Sequence, residues 1–403
     1  MKKPGNQPSG KQLETCAGII LKPGREKSIV NRHQWLFSGA IKSFPPGFTD
    51  GNLYPVYSAE GRLLGYGYFN RKCSLSGRLV SFGQTRPEEA FRRNLAEALQ
   101  LRKKLYGQAE ACRLVNGESD SLPGLIVDRY GPGLVIQIST LGMEKLKPLI
   151  IQLLSELAQP QFIYEKSLSP ARKEEGLKER EGLLTGHLSE PILIDEEGIK
   201  FKVYLTGAQK TGLFLDQREM RKLVREISAG KKILDGFSYS GGFALSALKG
   251  QAAGVTLVDY SSRALEVAKE NMITNGFGKS SFRLINQDMF DFLAEQSSLA
   301  YDLVILDPPA FAKKKADEKQ AGRAYQRLNY LALARMKRDS FLLTFSCSYY
   351  ISRELFQKII FQAALQAGRQ VKILTGHRQS YDHPVSVFHP ESDYLKGFLL
   401  YVS

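Results

Sequence analysis

Apolar and polar residues alternate regularly in the second half of the chain. From about Ile192 onward, short apolar runs typical of buried strands are separated by longer amphipathic runs typical of helices. The predicted strands are KKILDGF, GVTLVDY, SFRLINQ, YDLVILD and SFLLTFS, and the predicted helices are GGFALSALKG, SRALEVAKENMITNG, QAGRAYQRLNYLALARM and SRELFQKIIFQAALQAG. This order predicts an α/β fold with a doubly wound, mainly parallel sheet. The last runs, QVKILTG and YLKGFLLYV, have no helix between them and are predicted to close one edge as an antiparallel pair.

From Gly18 to about Phe82 the sequence shows short strands and turn signals instead. The run LLGYGYF follows a break at Glu60-Gly61, which predicts a hairpin within a small β-barrel. Basic side chains lie among aromatic ones, and this suits RNA because aromatic rings stack on unpaired bases while cations hold phosphates. The alternative is that most of these aromatic residues fill the barrel core. The candidate RNA contacts in this segment are Arg32, His33, Arg71 and Lys72.

The middle of the chain combines a helix with strand-like runs. Pro87 opens the predicted helix PEEAFRRNLAEALQLRKKLYG, which has acidic residues in its first turn and basic residues in its last. Later comes the charged stretch SPARKEEGLKEREG, which we expect to be solvated. The predicted domains are an RNA-binding β-barrel at 14–86, an α+β domain at 87–190 and the α/β domain at 191–403.

The charge of the chain points to a phosphate-rich partner. The 403 residues carry a net charge of +15, and up to Pro87 there are 13 Lys or Arg against 4 Asp or Glu. A basic module joined to a more balanced remainder is typical of proteins that bind nucleic acid. Membrane binding is not expected, because no basic amphipathic helix accompanies the charge and no segment approaches the roughly 20 apolar residues of a membrane span.

The four cysteines indicate a reducing compartment. Cys16, Cys73, Cys112 and Cys347 are scattered, without a CxxC pair or any metal-ligand spacing. We therefore expect a cytoplasmic protein with free thiols and without a metal site.

The turn after the first strand of the α/β domain predicts a nucleoside site. In DGFSYSGGFALSA, Gly241 lets the backbone approach a ligand, and Asp259 ends the next strand 18 residues later, where a carboxylate can bind ribose hydroxyls. The turn lacks GxGxxG, which favours S-adenosylmethionine over a dinucleotide. Asp288 ends the third strand and is a candidate acceptor for the adenine amino group. Each of these residues taken singly is compatible with a plain turn or cap.

Two further strand ends predict the chemistry. Asp307 is followed by two prolines, which make a rigid turn and fix the carboxylate, and Cys347 follows the fifth strand, beside Asp307 if neighbouring strands pair in order. Carbon five of a pyrimidine accepts a methyl group once a thiolate has added to carbon six. Asp307 could then bond the ring nitrogen. The alternative for Cys347 is a buried structural cysteine.

A set of motifs carries a resemblance over nearly the full length. In order, TGAQKTGLFLDQR, FSYSGGF, LDPPAF, LTFSCS, YDHPV and YLKGF resemble the RlmI family of bacterial large-subunit ribosomal RNA cytosine-5 methyltransferases. LKPGREKSIVNRHQWLFSGAI is similar to that family's PUA domain, and LVNGESDSLPGLIVDRYG to its middle domain. The resemblance implies a class I methyltransferase domain with a seven-stranded sheet, S-adenosylmethionine as cofactor and large-subunit ribosomal RNA as substrate.

The resemblance also implies roles for individual residues. Cys347 and Asp307 match the family's catalytic cysteine and motif aspartate. His383 in YDHP is a further candidate for the active site, or it braces a loop. The implied cofactor positions are Phe214, Asp216, Gln217, Arg218, Asp235, Ser238, Gly241, Asp259, Asp288, Asp307 and Pro308.

Two departures from the family pattern affect these expectations. The family turn reads Asp-Pro-Pro-Lys-Phe, whereas Ala310 replaces the lysine here, so Lys313 and Lys314 just beyond are candidate substitutes for contacting RNA. The Asp-Pro-Pro turn also lacks a cysteine, so the proton that leaves carbon five must go to another base.

Three other functions remain compatible with the sequence. A ribosomal RNA guanine-nitrogen methyltransferase would keep the fold and need no thiol, and a non-catalytic RNA-binding assembly protein would use only the basic module. A nicotinamide oxidoreductase ranks last because the pyrophosphate fingerprint is absent. The oligomeric state is left open, with a homodimer as one alternative.

Overall fold

The computed structural model describes residues 18–206, 213–312 and 314–403. Within these ranges, none of the helices combines the length and the apolar character that crossing a bilayer requires. The described residues form three sheets of five or more strands and one two-stranded hairpin.

The N-terminal segment forms a six-stranded sheet in the order β2-β6-β5-β4-β1-β3. The predicted hairpin is confirmed, because β4 and β5 pair antiparallel across the turn at Gly61. Apolar residues from all six strands pack together in one small core, in which Phe69 is fully buried. The elements are β1 (Ile19–Leu21), α1 (Lys27–Val30), β2 (Trp35–Phe37), β3 (Ile41–Ser43), β4 (Leu53–Tyr57), β5 (Leu63–Phe69) and β6 (Leu75–Phe82).

A five-stranded sheet follows, in the order β11-β10-β9-β8-β7. Its first helix begins with Pro87 and ends before Gly107, whose φ of 63° is the backbone conformation that terminates helices and favours glycine. The elements are α2 (Pro87–Tyr106), β7 (Ala111–Asn116), β8 (Leu125–Tyr130), β9 (Gly133–Ile138), α3 (Leu141–Lys145), α4 (Lys147–Ala158), β10 (Phe162–Ser167), α5 (Ala171–Glu174) and β11 (Arg180–Gly186).

The expectation that SPARKEEGLKEREG is solvated holds for most of its charged side chains, which are exposed, but not for Arg172 and Glu175, which are buried. The segment contains α5 and the first three residues of β11. Arg172 donates to the carbonyl of Ile138 and pairs with Glu144 at 2.9 Å, while Glu175 accepts from Arg78 at 2.7 Å. Composition alone could not single out these two residues, because it does not show that their charges have partners in the folded chain.

The C-terminal segment confirms the predicted α/β fold. After the hairpin of β12 and β13, seven strands follow the order β16-β15-β14-β17-β18-β20-β19, of which the first five are parallel. β20 runs antiparallel to both β18 and β19, as predicted for the last two runs.

The first elements of this segment are β12 (Ile192–Glu196), β13 (Ile199–Val203), α6 (Arg218–Ile227), β14 (Lys232–Gly236), α7 (Gly242–Lys249), β15 (Gly254–Asp259) and α8 (Ser262–Thr274). The remaining elements are β16 (Phe282–Asn286), α9 (Met289–Glu295), β17 (Leu303–Leu306), α10 (Glu318–Arg335), β18 (Ser340–Ser346), α11 (Arg353–Gln366), β19 (Val371–His377) and β20 (Lys396–Val402).

The strand order places a crevice at the middle of this sheet. The chain leaves β14 towards β15 on one side, and β17 pairs with β14 on the other. Connections on opposite sides of neighbouring strands open a crevice beyond their carboxyl ends, where α/β proteins bind their ligands.

Candidate active site

A cavity of about 360 Å³ lies in this crevice. It is bordered by the turns after β14, β15, β17 and β18 and by the segment that precedes α6. The predicted site residues that line it are Phe214, Asp216, Gln217, Ser238, Asp259, Asp307, Pro308 and Cys347.

The turn after β14 is held in a strained conformation. Phe237 and Tyr239 have φ angles of 60° and 47°, and Gly241, with φ of 81°, precedes the first residue of α7. Such angles cost a residue with a side chain about 1–3 kcal/mol, and they persist where the surrounding structure imposes them. Gly241 itself faces α8 rather than the cavity, because an added Cβ would lie 3.2 Å from Ala268. Ser238 lies between Phe237 and Tyr239 in this turn and lines the cavity.

Asp235 supports this turn from below. Its carboxyl group is fully buried, and Oδ2 accepts the backbone N–H of Ala244 at 3.0 Å. Burial raises the pKa of Asp235 well above its usual range, and the carboxylates of Asp307 and Asp259 act in the same direction. Oδ1 of Asp235 and Oγ of Ser238 are buried and have no hydrogen-bond partner among the described residues. Buried polar atoms of this kind are commonly completed by a ligand or water.

Asp259 is fixed at the end of β15. Its two oxygens accept the backbone N–H groups of Tyr239 at 2.9 Å and Ser261 at 2.8 Å. Each carboxylate oxygen has a second lone pair, so both remain able to accept a bond from a hydroxyl group in the cavity. The carboxylate therefore has the position and the acceptor capacity that ribose hydroxyls require.

The turns after β17 and β18 meet at the cavity. The thiol of Cys347 lies 3.6 Å from the carbonyl oxygen of Pro308. Ser348 joins the same turns, because its Oγ accepts the backbone N–H of Ala312 at 3.2 Å and lies 2.9 Å from the hydroxyl of Tyr325. Cys347 is half-buried and borders the cavity, so its sulfur is not sealed within the core.

The segment before α6 closes the other side. Gln217 donates from Nε2 to Oδ2 of Asp307 at 3.0 Å, and the Tyr394 hydroxyl donates to Asp216 at 2.6 Å. The ring of Phe214 meets that of Tyr239 edge to face at 5.2 Å. Part of the loop that the sequence analysis singled out, residues 207–212, lies outside the described residues.

Two predicted cofactor residues lie elsewhere. Arg218 is buried against Glu196 at 3.1 Å and stacks on Tyr106, because it is the first residue of α6 and its side chain faces the five-stranded sheet. Asp288 is exposed and caps α9, where it accepts the backbone N–H of Phe290 at 2.8 Å. β16 is an edge strand, and Asp288 is not among the residues that line the cavity. The placement of Arg218 at the cofactor is therefore corrected, whereas a contact of Asp288 with the adenine stays a prediction.

His383 lies beside a second cavity of about 540 Å³, which shares Phe214, Asp216 and Tyr394 with the first. Its Nδ1 is 2.8 Å from Asp382, whose other oxygen accepts the backbone N–H of Arg113 at 2.9 Å. His383 thus braces the loop after β19 against the five-stranded sheet and does not reach Cys347's cavity.

The basic candidates have different surroundings. Arg32, Lys72 and Lys314 are exposed, and Arg71, though exposed, pairs with Asp50 at 3.2 Å. Lys313 lies outside the described residues. His33 is a correction: its Nε2 lies 3.3 Å from Glu391, so the ring joins the N-terminal sheet to the loop before β20 instead of facing solvent as an RNA contact.

Several lining residues were missed by the sequence reasoning. They are Arg221, Phe237, Tyr239, Tyr260, Tyr394 and Leu395. Tyr394 and Leu395 carried a usable signal, because the start of an antiparallel strand must lie beside the end of the parallel strand it pairs with.

Comparisons with known proteins agree with this geometry. Residues 19–82 match the PUA-like domain family, and residues 179–335 match the family described as S-adenosylmethionine-dependent methyltransferase. Ribosomal RNA large subunit methyltransferase I of Aeromonas salmonicida is 40% identical over 389 residues, which cover 95% of this chain and 98% of the relative. The protein of the same name from Klebsiella pneumoniae is 38% identical over 387 residues, covering 94% and 97%.

Solved structures share the fold. A methyltransferase from Streptococcus mutans superposes with a TM-score of 0.80 at 24% identity, covering 95% of this chain and 99% of its own. The methyltransferase SMU.776, complexed with S-adenosylhomocysteine, gives 0.81 at 25% identity with the same coverage. The predicted fold and cofactor are thereby confirmed: the cofactor is S-adenosylmethionine. The chain belongs to the family of ribosomal RNA large subunit methyltransferase I, with a PUA-like domain and an S-adenosylmethionine-dependent methyltransferase domain.

Proposed function

We propose that this protein methylates carbon five of a cytosine in large-subunit ribosomal RNA, with Cys347 as the nucleophile and Asp307 as its partner. The observation that carries the proposal is that the sulfur of Cys347 and the carboxyl group of Asp307 border one cavity and are joined through Pro308. A guanine-nitrogen methyltransferase would have no use for a thiol at this place, because a ring nitrogen is already nucleophilic.

The side chains can carry the reaction in balanced steps. The thiolate of Cys347 bonds to carbon six, and the electron pair of the 5,6 double bond makes carbon five nucleophilic. In its protonated form, Asp307 donates to ring nitrogen three as negative charge develops there. Carbon five gains the methyl group as the bond from that group to the donor sulfur breaks, which leaves S-adenosylhomocysteine. A base then removes the proton from carbon five, the 5,6 double bond re-forms as the bond to the Cys347 sulfur breaks, and nitrogen three returns its proton to Asp307. No cysteine stands in the Asp-Pro-Pro turn, so that base is not a second thiol.

The cofactor fits the other half of the cavity. Asp259 would hold the ribose, Ser238 and Asp235 would complete the site around the turn after β14, and Phe214 with Asp216 would border the methionine end. When bound, S-adenosylmethionine supplies a methyl group on a positively charged sulfur. The residues of the chain then orient carbon five towards that group and exclude water from the cavity.

The RNA assignment rests on two supports. The relatives are named for the large-subunit ribosomal RNA they methylate, and the first 87 residues, with 13 Lys or Arg against 4 Asp or Glu, carry most of the net positive charge. Exposed Arg32 and Lys72, together with Lys314 beyond the Asp-Pro-Pro turn, are the proposed RNA contacts. We place the domains at 14–86, 87–190 and 191–403, and the protein in the cytoplasm with its substrate.

Methyl transfer by cysteine variants tests the proposal. Unmodified large-subunit ribosomal RNA is incubated with the full-length protein and radiolabelled S-adenosylmethionine, and the labelled nucleoside is identified by mass spectrometry after digestion. Wild type should yield 5-methylcytidine, and Cys347→Ala should lose at least about 10³-fold in rate, as expected for loss of a covalent nucleophile. Cys73→Ala is the matched control and should keep wild-type activity.

Other outcomes identify the alternatives. Full activity of Cys347→Ala would refute the covalent mechanism, and a methylated guanine would identify the nitrogen methyltransferase. Ribosomal RNA binding without any methyl transfer would indicate the assembly protein.

A further inference from the structure

Lys396 is a buried lysine at the start of β20, in the YLKGF motif that the proposed reaction does not use. It is 3% exposed, and its Cα is paired with Ser346, the residue before Cys347. Lysine is rarely buried to this degree unless its charge has a partner.

The side chain of Lys396 reaches along the chain segment that contains Cys347. Its backbone lies opposite Ser346, whereas its Nζ donates to the carbonyl oxygen of Ser348 at 2.6 Å. Ser346 and Ser348 flank Cys347, and the charge of Lys396 interacts with that of Cys347. A second bond, to the carbonyl of Tyr394 at 2.7 Å, ties it to a residue that lines the cofactor cavity. These two bonds fix the position of Nζ. They use two of the three N–H groups of the ammonium form.

A charged Lys396 and a thiolate at Cys347 stabilise each other, while burial and other charges act on the pair as well. Burial lowers the pKa of Lys396 to about 8, while Cys347 and Asp393 favour its charged form and Arg353 opposes it. Arg353 donates to the carbonyl of His377 at 2.7 Å. Asp307, which borders the same cavity as Cys347, acts against the thiolate.

The phenols that face Cys347 stay neutral. Burial raises the pKa of Tyr325 to about 12, and burial together with Asp216 raises the pKa of Tyr394 well above its ordinary value. Neither phenol supplies a charge near pH 7, whereas Lys396 places a cation on the strand paired with the one that precedes Cys347.

We propose that Lys396 is a positioning residue that stabilises the thiolate of Cys347 and so prepares it to add to cytosine. The thiol proton leaves for the solvent of the cavity, and Nζ keeps its three protons. This inference rests on the proposed function in one respect, that Cys347 is the nucleophile. It adds that Lys396, a cation on β20, sets the fraction of Cys347 that is present as thiolate.

The pH dependence of alkylation at Cys347 tests this inference. The full-length protein is treated with iodoacetamide from pH 5 to 10, and the modified Cys347 peptide is quantified by mass spectrometry. An unperturbed thiol titrates near pH 8.5, and a nearby cation lowers that value. Wild-type Cys347 should titrate clearly below 8.5. Lys396→Met should raise the thiol pKa by at least one unit, so alkylation at pH 7 becomes about tenfold slower or more.

Controls separate charge from packing. Lys396→Arg keeps the cation and should restore most of the reactivity that Lys396→Met loses. Lys372→Met, the same change at an exposed position of β19, should leave the alkylation profile unchanged. Cys73 provides an internal reference, because burial and Glu175 raise the pKa of its thiol to about 11.

Two results would overturn the inference. One is a Lys396→Met variant that still binds S-adenosylhomocysteine, and is therefore folded, but whose alkylation profile at Cys347 is the same as that of wild type. The other is a wild-type thiol that titrates at or above 8.5, which decides the question even if Lys396→Met does not fold. Alkylation requires no methyl transfer, so the outcome is independent of the activity test of Cys347→Ala.

Discussion

Replacement of Glu196 by glutamine tests the corrected role of Arg218. Glu196, at the end of β12, is 6% exposed and holds two arginines of α6. Arg218 donates from Nε at 3.1 Å, and Arg221 donates from Nε at 2.6 Å and from Nη2 at 2.7 Å. Glu196→Gln keeps the volume but removes the charge that compensates two buried guanidinium groups.

The expected cost is large because both partners stay buried. Removing one member of a buried ion pair typically costs about 3–5 kcal/mol, since an uncompensated charge remains in the interior. Burial alone would raise the pKa of Glu196, but Arg221 and Arg218 lower it below the ordinary value. The folded pKa is thus the lower one, so the stabilisation is present above the unfolded pKa and is lost as pH falls through the folded value.

Native-state hydrogen exchange of peptides from α6 measures this cost locally, without assuming that the whole chain unfolds in one step. At pH 7, Glu196→Gln should reduce the protection of Arg218–Ile227 by at least about a hundredfold. The matched control is Glu197→Gln, next in sequence. Glu197 pairs with Lys222 at 2.6 Å on the surface, where both side chains are 40% exposed or more, and its loss should cost no more than about 1 kcal/mol.

Equal effects of the two substitutions would refute this reasoning. It would also be refuted if Glu196→Gln left α6 fully protected, because the ion pairs of Arg218 and Arg221 with Glu196 would then contribute nothing to the stability of the helix. Arg221 borders the cavity and donates to the carbonyl of Phe214 at 2.7 Å, so some loss of cofactor affinity should accompany the loss of protection.

Two further predictions concern the carboxylates. Asp259→Asn should weaken binding of S-adenosylhomocysteine, measured by calorimetry, by about 1.5–3 kcal/mol, the contribution of a hydrogen bond to a charged group. The control Asp291→Asn, at an exposed position of α9, should leave the affinity unchanged. Equal affinities of the two variants would contradict the ribose assignment. Burial alone would raise the pKa of Asp382, but His383 and Arg218 lower it to about 2, below its ordinary 3.8. Its stabilisation should be complete above about pH 4 and lost towards pH 2. The melting temperature of Asp382→Asn should thus fall below that of wild type at pH 6 and converge with it in acid; a gap that stays constant with pH would contradict this.

Most of the α/β domain could be predicted because its strands are buried on both faces. Such strands read as continuous apolar runs, and β18 was predicted to the residue at Ser340–Ser346. The convergence of the turns bearing Asp307 and Cys347 also followed from the sequence, since neighbouring parallel strands end at the same edge.

Side-chain direction could not be predicted in the same way. Arg218 and Gln217 are adjacent in the sequence, yet Gln217 meets Asp307 while Arg218 turns to Glu196. His33 illustrates the same limit, because its partner Glu391 is more than 350 residues away in the sequence. Long-range pairing decides both cases, and local patterns carry no record of it.

Trapping of the covalent intermediate tests the central claim most directly. Large-subunit ribosomal RNA is transcribed with 5-fluorocytidine and incubated with the full-length protein and S-adenosylmethionine. Fluorine cannot leave carbon five as a proton does, so the sulfur–carbon bond should persist. We predict a complex stable in denaturant, with the cross-linked peptide carrying the nucleotide on Cys347, absent in Cys347→Ala and retained in Cys73→Ala. Methyl transfer to ordinary RNA without any such complex, or a cross-link at another residue, would contradict the account.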